Sequence, residues 1–133
     1  MTRKIIVYIA TGLLALAAMA TRCTDQTVCT LEFASLVLTV QDAQGAPVTG
    51  LAISDTVLST GQGFAVSQNM PFLLPGVYVI LDDGYLGKIG SRESVRVVGT
   101  KSGTTAFTAD FLFDGSGCHV RKLAGPSTVV VGS

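Results

Sequence analysis

The chain has 133 residues, nine of them basic and nine acidic, so its formal net charge is zero. Charged residues make up only 14% and hydrophobic ones 48%, with 15 glycines and no tryptophan; this excludes a charge-rich disordered segment and suits one domain with a modest core. The strand region holds no basic run longer than Arg121-Lys122, which argues against nucleic acid as a partner.

The N-terminus reads as a targeting segment. Arg3 and Lys4 precede an apolar run from Ile5 to Ala18, interrupted by Thr11, and Ala18-Met19-Ala20 is an A-x-A cleavage pattern. Residues 1–20 are therefore expected to be a signal peptide, with Thr21 as the mature start and a secreted or periplasmic destination. The run from Ile5 to Ala20 is shorter than the roughly 20 apolar residues of a spanning helix, so no transmembrane segment is expected in the mature chain. Loss of Arg3 and Lys4 leaves seven basic residues against nine acidic, a net of −2. The alternative is a lipoprotein signal with Cys23 lipidated. Ala20 and Arg22 stand at the positions that decide this, and Arg22 fits badly where a small residue belongs.

Export permits disulfides. Cys23, Cys29 and Cys118 allow three single pairings. Cys29–Cys118 is favoured, because Cys29 sits just before the first strand and Cys118 heads the last long one, and first and last strands of sandwiches are often neighbours. Such a bridge would close a loop of about ninety residues, nominally worth roughly 4 kcal/mol. Cys23–Cys29, a small local loop, is the competing pairing.

Residues 21–30 read as a polar leader and 31–133 as one β-sandwich domain. Leu31 to Gln41 is the first strand, with Leu36, Leu38 and Val40 on one face. Asp42 to Pro47 supplies turn chemistry. A second strand is expected over Ala46 to Ser54, with Thr56 to Leu58 continuing it, and a third over Phe64 to Gln68. The loop from Asn69 to Gly76 would place Phe72 and Leu73 against the body. Val77 to Leu81 is apolar on both faces, which predicts a central strand. Asp82-Asp83-Gly84 is a hairpin-type turn signal, and Tyr85 to Ile89 marks a corner. Glu93 to Val98 and Thr104 to Phe113 follow; the latter aligns Phe107, Ala109, Phe111 and Phe113 on one side. Cys118 to Leu123 opens the last strand, and Val129 to Val131 closes the chain. The sum is about seven strands, which predicts an all-β fold with a single seven-stranded, immunoglobulin-like β-sandwich. Phe64, Phe107, Phe111 and Phe113 are the candidate core aromatics.

Catalytic and metal-binding signals are thin. His119 is the only histidine; with Ser116 near it in sequence it offers a hydrolase reading, whereas a structural role beside a disulfide is the favoured one. A zinc site from His119, Cys118 and Asp114 would forfeit the disulfide and lack a fourth ligand. Asp82-Asp83 before Gly84 suits a turn better than calcium. Gly61-Gln62-Gly63 lacks the Lys-Ser/Thr of a phosphate loop. No catalytic residue, cofactor or metal is expected. Tyr78 and Tyr85 are candidates for a protein or glycan contact, Tyr85 fitting a corner position better.

Two stretches carry a family resemblance. Val40-Gln41-Asp42-Ala43-Gln44-Gly45-Ala46-Pro47-Val48 resembles the V-x-D-x-x-G-x-P-V opening of carboxypeptidase regulatory-like domains. Pro75-Gly76-Val77-Tyr78-Val79 followed by Gly84-Tyr85 is similar to a later segment of the same transthyretin-like sandwiches. Small exported bacterial members place a cysteine before the first strand and Cys-His-Val near the end, matched here by Cys29 and Cys118-His119-Val120. Residues 87 to 113 do not align, and Leu51-Ala52-Ile53 departs from the usual second strand. The resemblance implies an accessory, non-enzymatic extracytoplasmic module with a structural or partner-binding role; the peptidase chemistry of that family resides in a separate zinc domain.

Overall fold

A computed structural model describes residues 28–71 and 73–132. The expected signal peptide at residues 1–20, the expected mature start Thr21, Cys23 and Phe72 lie outside the described residues.

The described chain is all-β, in two sheets. Its strands are β1 (Ser35–Asp42), β2 (Ala52–Val57), β3 (Gly63–Phe64), β4 (Val77–Asp82), β5 (Glu93–Lys101), β6 (Thr104–Asp114), β7 (Arg121–Ala124) and β8 (Thr128–Val131), with a 3₁₀ turn at Asp83–Tyr85. One sheet runs β4-β1-β8 and the other β3-β2-β5-β6-β7. The strands therefore number eight among the described residues, rather than about seven. β1 and β8 pair in parallel, but β7, the strand that follows Cys118 and was expected beside the first strand, lies in the other sheet.

The core forms because alternation puts one face of each strand inward. Leu38 and Val40 of β1, Tyr78 and Ile80 of β4, and Val131 of β8 meet Ile53 and Val57 of β2, Val95 and Val97 of β5, and Phe107, Phe111 and Phe113 of β6. Phe111 and Phe113 lie with ring centroids 5.5 Å apart. Phe64 is partly buried against the same core.

The two turns singled out in the sequence pack on each other. Asp42 Oδ1 accepts from the amides of Gln44 and Ala46, at 2.9 and 2.8 Å, and fixes the first turn. Val40 then donates its amide to the Gly76 carbonyl at 2.7 Å. Gly76 has a φ of 77°, and a Cβ there would stand 2.7 Å from the Pro47 Cβ and 2.8 Å from the Val40 carbonyl oxygen. Only glycine fits both the conformation and the approach.

Four sequence expectations are corrected. The second strand begins at Ala52, because Pro47 makes only an isolated bridge to Gln41, and it runs unbroken through Asp55 to Val57. The third strand is only Gly63–Phe64. Asp82-Asp83-Gly84 is no hairpin, since β4 and β5 belong to different sheets; the 3₁₀ turn begins a crossover between them. β4 is an edge strand, not a central one. It is nonetheless buried along most of its length, and the Gln68 amide seals its open edge: Oε1 accepts from the Val79 amide at 2.9 Å, and Nε2 donates to the Val79 carbonyl at 2.8 Å. A side chain thus supplies the pairing that a further strand would give.

Candidate functional site

The residues with chemistry gather where the chain enters β1, where β4 ends, and where the loop before β7 returns. Cys29 and Cys118 are joined by a disulfide, Cα atoms 5.3 Å apart and 89 residues apart in sequence, the favoured pairing, although the strands they precede lie in different sheets. Cys118 lies in the loop before β7, not in the strand itself. The bridge brings Thr30 beside His119.

Asp83 is the hub. Its Oδ2 accepts from the Ala34 amide at 2.8 Å and lies 2.6 Å from His119 Nδ1, and its Oδ1 accepts from the Val120 amide at 2.8 Å. The Asp83 amide donates back to the Ala34 carbonyl at 3.1 Å, which extends the β1–β4 ladder beyond Ser35 and Asp82. Burial disfavours the charge on Asp83, but hydrogen bonds from Ala34, His119 and Val120 outweigh it and hold the carboxyl below its usual range. An ionised carboxylate only accepts, so Nδ1 of His119 carries a proton. In the neutral ring Nε2 is then a lone pair, and it lies 3.0 Å from Thr30 Oγ1. In that form the ring nitrogen is the acceptor for the Thr30 hydroxyl.

The structure thus brings Asp83, His119, Thr30 and the Cys29–Cys118 disulfide together. It does not bring Ser116 to His119: Ser116 donates through both its amide and its hydroxyl to Asp114 Oδ1, at 2.9 and 2.6 Å. Those bonds, together with the Arg121 guanidinium on the other carboxylate oxygen, lower Asp114 to about 2. Asp82 accepts from the Gly84 amide and caps the 3₁₀ turn. Among the described residues, no group of three or more His, Cys, Asp or Glu side chains could hold a metal ion. No helix there is long and apolar enough to cross a membrane.

The tyrosines divide. Tyr78 is buried, with its hydroxyl donating to the Val48 carbonyl at 2.8 Å and accepting from the Leu51 amide, so it is not a contact residue. Tyr85 takes the corner position: its hydroxyl reaches the Ala65 carbonyl, its ring lies 4.7 Å from that of Phe64, and Lys88 Nζ sits over it.

Asp55 was missed by sequence reasoning. It is 1% exposed, and neither carboxylate oxygen has a hydrogen-bond partner. Register places it directly between Phe64 on β3 and Val97 on β5, on the face of Ile53 and Val57. Burial raises its pKa to about 8. The alternation Ile53, Asp55, Val57 is the signal that could have found it.

Searches of protein-family models, of curated proteins and of solved structures find no match to this chain.

Proposed function

We propose that this chain is an exported, non-enzymatic β-sandwich module of the carboxypeptidase regulatory-like kind, which acts by structure or by holding a protein or glycan partner outside the cytoplasm. The observation that supports this reading best is the Cys29–Cys118 disulfide, a bond that persists in oxidising compartments and is rare in reducing ones. The signal-like residues 1–20 point the same way. The touching Asp42 and Gly76 turns give the resemblance a spatial counterpart, since the two stretches that carry it meet.

Expression of the full chain in a bacterium, followed by fractionation, non-reducing peptide mapping and mass measurement of the N-terminus, tests the reading. The expected product lies in the periplasm or medium, begins at Thr21 and yields a linked Cys29–Cys118 peptide. A mature chain beginning with acylated Cys23 would replace secretion by a lipid anchor on the same fold. A reduced chain retained in the cytoplasm would overturn export. Catalytic turnover of the native protein that is lost in a His119→Ala variant still folded at the assay temperature would overturn the non-enzymatic part.

A further inference from the structure

Thr30, His119 and Asp83 stand in line: hydroxyl to Nε2 at 3.0 Å, Nδ1 to carboxylate at 2.6 Å. Both separations lie within the reach that nucleophile–base–orienter sets require. Asp83 is fixed by two backbone amides as well as by the ring, so the imidazole's tautomer and direction are set. Thr30 is exposed, and the His119 side chain keeps 27% of its surface in solvent, so a reagent can reach the pair. Within three residues of Thr30, Val28, Leu31 and Phe33 are large apolar side chains left exposed.

We propose that Thr30 is an activated hydroxyl that accepts an acyl group from an activated ester, with the exposed apolar side chains around it favouring an apolar acyl chain. In the step, Oγ1 attacks the ester carbonyl carbon and its proton passes to His119 Nε2. The tetrahedral adduct collapses with loss of the alcohol or phenol oxygen, which takes that proton from Nε2. The products are an O-acyl threonine and the free alcohol, with the imidazole returned to its starting form. His119 acts as general base and then general acid; Asp83 is a positioning residue. This goes beyond the module reading, and acceptance of one acyl group is compatible with a protein that does not turn over.

The test uses the mature, disulfide-linked protein with p-nitrophenyl butyrate and p-nitrophenyl acetate, followed by p-nitrophenol release, intact mass and peptide mapping. The expected result is a burst of about one equivalent of phenol, an acyl mass on the Thr30 peptide, and faster reaction with butyrate. Thr30→Val, which leaves the disulfide and the His119–Asp83 bond in place, should abolish that adduct. His119→Ala should slow it about a hundredfold, the usual scale of general-base assistance, and remove its pH dependence. Continuous turnover that Thr30→Val abolishes would support the site while overturning the non-enzymatic reading. Absence of a Thr30 adduct, or acylation confined to lysines and unchanged in Thr30→Val, would overturn the site. Equal or reversed rates for the two esters would overturn the apolar preference.

Discussion

At the scale of single residues, Asp55 is the side chain most at odds with its surroundings. A carboxyl buried between Phe64 and Val97 with no hydrogen-bond donor is far cheaper protonated than charged. Its pKa is raised from 3.8 to about 8, so the folded state holds a proton that the unfolded state has released across that interval. The associated stability is full below the unfolded value and is lost as pH rises through the folded one. Asp83 and Asp114 act in the opposite direction, because their carboxyls are lowered in the fold. Their contribution is present above the usual carboxylate range and disappears as pH falls through their folded values. Stability should therefore peak in mildly acidic solution and decline toward pH 8, by on the order of 3 kcal/mol from Asp55. Urea unfolding at several pH values, followed by circular dichroism, checks this. Asp55→Asn should flatten the decline between pH 5 and pH 8, and Asp55→Val, which suits a buried strand position, should raise stability at pH 8 by about 2 kcal/mol. A wild-type profile flat over that range would contradict the account.

At the scale of elements, Gln68 decides how β4 can be both an edge and buried. Val79 is fully buried, and its outward-facing amide and carbonyl find their partners in one side-chain amide. Gln68→Ala would leave both unmet. The expected cost is about 1–3 kcal/mol by urea unfolding, accompanied by self-association in size-exclusion chromatography as the uncovered edge recruits another strand. Gln68→Glu should cost similarly, because a carboxylate cannot donate to the Val79 carbonyl. This device also explains why β4 was misread: an apolar strand covered on both faces looks the same in sequence whether a strand or a side chain closes its edge. β6 was legible because Phe107, Ala109, Phe111 and Phe113 occupy alternate positions of a long strand. β3 was overextended because Ala65 and Val66 look strand-like although the ladder stops at Phe64. Asp55 fell into an assumed break between strands. At the clasp where Cys29 meets Cys118, the pairing was legible from the two cysteines' places near the ends of the strand region, although the strands they precede lie in different sheets and are not neighbours. The Asp83–His119 and Thr30–His119 contacts span 36 and 89 residues and follow no local pattern. Ser116 is three residues from His119, yet it turns back onto Asp114.

At the scale of the whole molecule, the fold has a seam where its two sheets meet, and the clasp laces one end of it. Cys29 lies on the segment leading into β1 of the three-stranded sheet, and Cys118 on the loop leading into β7 of the five-stranded one. Asp83 directly follows β4 of the first sheet and grips His119 and Val120 just before β7 of the second. The covalent and the hydrogen-bonded ties therefore run in parallel between the same two layers. Reduction, or Cys29→Ser with Cys118→Ser, removes a closure over 89 residues and should cost about 2–4 kcal/mol. The cost of His119→Ala should depend on whether the bridge is intact. With the disulfide formed, Thr30 is held at the ring, and loss of the ring leaves the Asp83 carboxylate short of a donor. With the disulfide broken, the segment carrying Thr30 is no longer tethered and part of that loss has already occurred. The two changes together should then destabilise less than the sum of the separate effects, by about 0.5–1 kcal/mol in a double-mutant cycle. Strict additivity would mean that disulfide and imidazole hold the end of the sandwich independently, and that Thr30 reaches His119 without help from the bridge.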